Sequence, residues 1–423
     1  LIRQGDRTVY NLDWVTVLIY FVLVFLGWFN IYAAVYDEEL NRNIFDLTLD
    51  SGKQLLFIGS SMLIIIGILN LDYKFYDSFG FAFYGLFILI LIFVLLFGRE
   101  VAGSRSWFEI GSFRLQPSEF TKFATALAVA KYLGSPNVKF TQIKTQIISG
   151  IIIGVPLLLV ILQGDTGTAM VYGSFILVFF REGMSPLIVA IGLLAILIFI
   201  LTLVVSQTVL IISLVVLGLI AIGLSIKSPR TIVGVIIGVI LAVGMVKSVD
   251  FLMTEVLKPH QQKRVLSLIN PSADPLGIGW NVTQSKIAIG SGGFFGKGFL
   301  EGTQTKFDFV PAQSTDFIFC TIGEEHGWIG SLILIGGFCL LFFRLIHLAE
   351  RQKSNFSRIY GYGVISVIFF HFAVNIAMTI GLFPVIGIPL PFFSYGGSSL
   401  WSFTILLFVF LKLDAHRMQV LMR

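Results

Sequence analysis

An all-α polytopic membrane protein is the fold class this sequence predicts, on three observations. Of 423 residues, 56% are hydrophobic and only 13% charged, where soluble domains carry about a quarter. The apolar residues fall in runs of about 20, the length that crosses roughly 30 Å of hydrocarbon. Basic residues recur on alternate short loops, as orientation by positive charge requires. The mean hydropathy of +0.91 agrees, and 42 phenylalanines suit a lipid-facing surface.

The elements follow in order. The opening "LIRQGDRTVYNLDW" is polar and basic, so the expectation is that no cleavable signal precedes the first span. Runs suited to crossing lie at 14–36, 54–72, 78–98, 117–133, 146–163, 167–181, 185–204, 207–226, 230–249, 315–345, 360–383 and 397–412. The sum is about twelve transmembrane helices, least clearly divided over 185–249. With a cytoplasmic N-terminus, Lys74, Lys131, Lys139, Lys144, Arg181, Lys227, Arg230, Arg351, Lys353, Arg358, Arg417 and Arg423 all fall inside, and the acidic "YDEELNRNIFDLTLD" falls outside. Residues 250–313 then form the largest loop, on the extracytoplasmic face. The run 315–345 is too long for one straight crossing, so it tilts strongly or breaks near "GEEHGWIG".

That outer loop holds the most unusual polar stretch, "LINPSADPLGIGWNVTQSKIAIGSGGFFGKG". It is no phosphate loop of the Gly-Lys-Ser/Thr kind, because Ser291 takes the first glycine position and Gly298 follows Lys297. Asp274 before Pro275 reads either as ordinary turn chemistry or as a general base. Lys258, Lys263, Arg264, Lys286, Lys297 and Lys306 in the same loop suit the second reading: a substrate with a hydroxyl to deprotonate and a phosphate to hold.

Polar residues in or beside spans are the other candidates. "LQPSEFTKFA" puts Pro117 in a first helical turn, with Glu119 and Lys122 one turn apart on one face. They read as dipole complement and snorkelling cation, or as site residues, since intramembrane charge is costly. Asp165 in "LQGDTGTA" stands at a break between spans. Asp316 in "AQSTDFIF" stands at the start of one, where Ser314 or Thr315 is an equal contender for a helix cap. Glu324 and Glu325 lie roughly 15 Å along from Ser314, so at least one is expected to face an internal cavity. Five scattered histidines (His260, His326, His347, His371, His416) make no metal set, and Cys320 and Cys339 make no disulfide framework. "GIPLPFFSYGGSS", Gly387 to Ser399, reads as a broken re-entrant segment or a plain proline-rich loop.

Taken together, "RVLSLINPSADPLGIGWNVTQSKIAIGSGGFFGKGFLEGTQTKFDFVPAQSTDFIF", "LQPSEFTKFA", "GEEHG" and "GLFPVIGIPLPFFSYGGSS" resemble the SEDS family (shape, elongation, division and sporulation), its rod-shape branch more than its division branch. The resemblance implies a ten-helix core, so an extra pair is expected within 185–249. It implies a peptidoglycan glycosyltransferase of the bacterial cytoplasmic (inner) membrane, acting during cell elongation. The substrate would be lipid II, an undecaprenyl-pyrophosphate-linked disaccharide pentapeptide, and the product β-1,4 glycan. Partners would be a class B penicillin-binding protein and other elongation-complex membrane proteins; nucleic acid and organic cofactors are not expected. The family's essential aspartate matches Asp274, and its intramembrane Glu and Lys match Glu119 and Lys122. The sequence departs from the pattern at "GSRSW", where the arginine becomes Arg105, at "QGD" around Asp165, at Ser314 in place of a histidine, at "GWN", and at Ile386.

The expected mechanism is inverting, with Asp274 as general base. Positive charge on the leaving pyrophosphate would come from Arg264, Lys122, Arg105 and Arg114, with Glu119 orienting Lys122, or from a divalent cation (Mg or Mn). Asp165, Asp316, Glu324, Glu325, Ser394 and Ser398 complete the candidate substrate-binding set. A lipid II flippase and a non-enzymatic scaffold activating the penicillin-binding protein are the alternatives.

Overall fold

The computed structural model describes residues 10–36, 43–101, 103–111, 113–224, 228–251, 255, 262, 278–307 and 309–418. The chain forms two compact units, residues 1–183 with 281–423, and residues 184–280.

In the larger unit, helices α1 (Trp14–Val35), α2 (Asp50–Asn70) and α3 (Tyr73–Phe97) lead to a three-stranded antiparallel ribbon. Its strands are β1 (Arg99–Val101), β2 (Ser104–Ile110) and β3 (Phe113–Leu115), with Arg99 opposite Trp107 and Phe108 opposite Leu115. The ribbon is the one departure from an all-helical reading, and it is confined to this connection among the described residues. Next come α4 (Pro117–Leu133), α5 (Ile143–Leu162), α6 (Thr166–Val171), a 3-10 turn (Tyr172–Phe175) and α7 (Ile176–Arg181). After the second unit the chain returns through α11 (Ile278–Ser291), α12 (Thr303–Lys306), α13 (Ile318–Glu325), α14 (Gly327–Glu350), α15 (Asn355–Thr379) and α16 (Gly397–Ala415).

Helices α8 (Pro186–Val204), α9 (Gln207–Leu224) and α10 (Pro229–Phe251) make the second unit. Ser185 caps α8 through the Leu187 N–H, with Pro186 at its first position. A small core of Ile198, Leu210 and Val246 holds the three together.

Nine of the described helices are long and apolar enough to cross a membrane: α1, α2, α3, α5, α9, α10, α14, α15 and α16. Two shorter apolar stretches, Thr166–Arg181 and Pro186–Thr202, add to them. Helix α4 is different in kind. Nearly every residue on it is buried, polar ones included, because it packs on α3, α5, α15 and α16 as the centre of the unit. Together these segments correspond in order to the twelve runs read from the sequence. The long run 315–345 does break: α13 ends at Glu325, and α14 starts at Gly327 after a turn at His326.

Ion pairs gather the charged helix ends at one pole of the unit. Asp13 pairs with Arg344, Asp414 with Arg351 and Arg417, Glu350 with Arg181, Glu182 with Arg358, and Asp77 with Lys131. Apart from Arg344, these basic residues are ones that the loop pattern assigns to one side. The opposite pole carries the ribbon, Asp50, Asp165 and Glu324, and the candidate site lies there.

Candidate functional site

An irregular segment, residues 380–396, runs between α15 and α16 with Ile388, Leu390, Phe392, Phe393 and Ser394 buried. Backbone buried without a helix or sheet must find its hydrogen bonds elsewhere, and here side chains and neighbouring backbone supply them. Asn375 Nδ2 donates to the carbonyls of Asp316 and Ile388, both at 2.8 Å. Ser394 Oγ donates to the Thr315 carbonyl at 2.6 Å and accepts the Leu390 N–H at 2.9 Å. Tyr395 N–H reaches the Ser314 carbonyl, and Gly396 N–H reaches Gln54 Oε1. The segment is therefore a braced, irregular piece of backbone, as its prolines and glycines suggest.

Beside it sits a polar junction. Gln116 precedes Pro117, the first residue of α4; its N–H bonds Ser398 Oγ at 3.1 Å and its Nε2 bonds Asp165 Oδ2 at 2.8 Å. Asp165 uses its other oxygen to cap α6 through the Thr168 N–H at 3.0 Å. Three helix starts and the irregular segment thus meet at Gln116, Asp165 and Ser398. Sequence reasoning named the last two but gave Gln116 no role, although it stands inside the quoted "LQPSEFTKFA" motif.

One turn further into α4, Lys122 is wholly enclosed. Its Nζ lies 2.8 Å from Glu119 Oε2 and 2.9 Å from His371 Nε2, and 5.1 Å from the ring centre of Phe403. His371 Nδ1 faces the Pro389 carbonyl at 3.2 Å. Donation from Lys122 to Nε2 requires that nitrogen to be unprotonated, an arrangement that assigns a ring proton to Nδ1, facing the Pro389 carbonyl. The expected pairing of Glu119 with Lys122 is present. Direct contact of Lys122 with a phosphate does not fit this arrangement, because the ammonium is surrounded by this chain's own groups. His371 was dismissed at the sequence level as one scattered histidine; its signal is positional, facing α4 from α15.

The remaining candidates divide by exposure. Arg105 and Arg114 are on the ribbon with half-exposed side chains; Arg114 pairs with Glu109 at 3.1 Å and Arg105 lies 3.9 Å from Glu100. Arg99 and Arg114 together hold the Glu109 carboxyl below its usual range. Asp316 is half-buried beside Gly387. The alternative of a Ser314 or Thr315 helix cap does not occur: α13 starts at Ile318 with no side-chain cap, Ser314 meets Asp50, and Thr315 bonds the Ala312 carbonyl.

Glu324 is an anchor rather than a group facing an empty cavity. Its carboxylate caps the short helix α12 by accepting the N–H groups of Gln304 (2.8 Å) and Thr305 (3.0 Å), and it pairs with Lys297 at 2.7 Å. Burial works against its charge, but those donors outweigh it and hold the carboxyl below its ordinary value. Glu325 has less help. Burial pushes it up to about 8, the neighbouring Glu324 adds to the rise, and the Leu300 N–H offsets only part. Asp274 and Arg264 lie outside the described residues. Among the described residues no three His, Cys, Asp or Glu side chains converge as a metal cage.

Comparison with known proteins agrees with this architecture. The profile of the FtsW/RodA/SpoVE cell cycle protein family matches residues 13–212 and 181–419. The shared stretch, 181–212, overlaps the region where surplus helices were expected. The chain is 34% identical to the peptidoglycan glycosyltransferase RodA of Treponema pallidum, over 97% of this chain and 99% of that one. It is 32% identical to the peptidoglycan glycosyltransferase MrdB of Escherichia coli K12, over 81% and 80%. Among solved structures, it is similar to a chain described under "structural coordination of polymerization and crosslinking by a peptidoglycan synthase complex". That match has a TM-score of 0.71 and 26% identity, covering 96% of this chain and 99% of that one. The crystal structure of Thermus thermophilus RodA shares the fold, at a TM-score of 0.62 and 23% identity over 96% and 97%.

Proposed function

Since the chain belongs to the FtsW/RodA/SpoVE family, we propose that it is a peptidoglycan glycosyltransferase that polymerises lipid II into β-1,4 glycan strands during cell elongation. The observation that carries the reading is 34% identity to a peptidoglycan glycosyltransferase RodA along nearly the whole of both chains. The reaction joins the 4-hydroxyl of one lipid-linked disaccharide to the anomeric carbon of another and releases undecaprenyl pyrophosphate. Direct displacement turns the α link of the donor into a β link, so one base is enough and no covalent enzyme intermediate is needed. Asp274 is that base, worth about 10²–10⁴-fold in rate.

The leaving pyrophosphate needs positive partners. Arg105 and Arg114, half-exposed on the ribbon, and Arg264 are this chain's candidates. Gln116, Asp165 and Ser398 join the helix starts next to the ribbon that carries Arg105 and Arg114, and the Glu119–Lys122–His371 set reaches the irregular segment at the Pro389 carbonyl. A bound Mg or Mn ion would add charge at the pyrophosphate. A substrate pyrophosphate could supply most of the ligands of such an ion.

The proposed orientation puts both termini in the cytoplasm and the 250–313 loop outside, in a bacterial cytoplasmic membrane. The loop charges and the pairing of basic helix ends at one pole support it. A class B penicillin-binding protein is the proposed crosslinking partner, supported by the likeness to a chain of a synthase complex.

A flippase would need a polar path through the helices; Glu119 and Lys122 are sealed and paired instead. The test is purified protein with lipid II and the cognate transpeptidase in detergent, where no leaflets exist to be crossed. Glycan strands that resist moenomycin are the expected product. If no strands form there while lipid II moves across proteoliposomes, the chain is a transporter and this reading fails.

A further inference from the structure

Three successive carbonyls ahead of α13 are each taken by a donor from another element. The Ser314 carbonyl accepts the Tyr395 N–H at 2.9 Å, the Thr315 carbonyl accepts Ser394 Oγ at 2.6 Å, and the Asp316 carbonyl accepts Asn375 Nδ2 at 2.8 Å. The first two donors belong to the irregular segment and the third to α15. Residues 314–316 lie in turns, so no helix or sheet ladder serves these carbonyls and the donors must come from outside.

The Asp316 side chain is placed by the same bracing. Its Oδ2 lies against the irregular segment at Gly387, where an added Cβ would come within 3.3 Å of it. Gly387 stands at φ +71°, a left-handed conformation that suits glycine. Asn375 holds both sides of this approach, because its Nδ2 also donates to the carbonyl of Ile388, the next residue, at 2.8 Å. One turn back along α15, His371 faces the carbonyl of Pro389.

Asn375 is fully buried, and its Oδ1 accepts from no group among the described residues. The amide is oriented by donation alone: exchanging its nitrogen and oxygen would set an oxygen against two carbonyls. Asparagine is also the shortest side chain that offers two donors from one uncharged atom. Asp316, by contrast, is only half-buried. A partly exposed carboxylate whose own backbone and facing turn are both tied to one helix is held to present its charge at a fixed point.

We propose that Asn375 is a positioning residue for glycan synthesis: it locks the Asp316 carboxylate against the 387–389 backbone, so that Asp316 meets a hydroxyl of the lipid-linked sugar in one place. This role rests on the polymerase reading above and on Asp316 facing the substrate. Asn375 itself touches no substrate, and its effect on the reaction passes through Asp316.

The test is a double-mutant cycle on glycan synthesis from lipid II, with the cognate transpeptidase in detergent: wild type, Asp316→Ala, Asn375→Leu and the pair. Asn375→Leu keeps the volume and loses both donors. It should lower kcat by about 10-fold or more, in a preparation that still melts cooperatively. In the Asp316→Ala background the same change should alter kcat by less than about twofold. Asn375→Ser, which keeps one donor, should fall between wild type and Asn375→Leu, and it replaces Asn375→Leu in the cycle if that variant does not fold. An equal fall in both backgrounds would overturn the proposal, as would wild-type kcat in Asn375→Leu. A second readout needs no activity. With Cys339→Ser leaving only buried Cys320, a spin label on Asp316→Cys should gain mobility when Asn375→Leu is added. An unchanged spectrum would overturn the proposal. A gain supports the bracing even where the wild type makes no strands, an outcome that counts against the polymerase reading instead.

Discussion

Lys122 is the residue whose environment says most. A charge with no exposure, one carboxylate, one imidazole and one ring around it is stable only while that set is complete. Lys122→Met should destabilise the protein by about 3–5 kcal/mol, since it strands the Glu119 carboxylate. The double change Glu119→Gln with Lys122→Met should recover most of that, read as melting temperature in detergent. His371→Leu removes an acceptor from a buried ammonium and should cost about 1–3 kcal/mol, while His371→Gln, which keeps an acceptor, should cost less. Equal losses for Leu and Gln would mean that ring packing on Phe403, not the hydrogen bond, is what matters.

Glu325 gives a pH dependence of definite sign. Its folded value of about 8 exceeds the ordinary 4.5, so the folded state holds the proton more tightly than the unfolded. The stability it contributes is complete below pH 4.5 and is lost as pH rises through about 8. Glu325→Gln should flatten that slope, which melting curves between those limits would reveal.

At the scale of elements, the glycine-rich stretch around Gly292–Gly298 and "GEEHG" interlock backbone to backbone. That explains glycines which no nucleotide motif could. Gly296→Ala or Gly327→Ala should cost about 1–3 kcal/mol through the left-handed backbone each occupies, and more through overlap; Gly336→Ala, with open space around it, is the neutral control. Helix existence was legible from run length alone, and the α13–α14 break from excess length. The ribbon 99–115 was not, because three short strands on a membrane protein leave little periodic signal. Nor was the division of labour between Glu324 and Glu325. Adjacent identical residues read alike until the Gln304 and Thr305 N–H groups are seen to bind only one of them.

For the whole molecule, the loop-charge pattern and the ion pairs agree on two poles, which makes sidedness measurable. A membrane-impermeant thiol reagent should reach Glu100→Cys from outside intact cells and Thr141→Cys only after permeabilisation. The reverse would turn the proposed orientation over. The polar junction was readable in part: Asp165, Ser398, Glu119 and Lys122 lie around the irregular segment, but Gln116 and His371 emerged only once α4 and α15 were packed together. The polymerase account rests finally on Asp274. The direct measurement is glycan synthesis from lipid II by Asp274→Asn with its transpeptidase, set beside the melting temperature of the same preparation. The account predicts a fall of about 10²-fold or more in strand formation with melting unchanged. Wild-type synthesis by a verified Asp274→Asn preparation would contradict it.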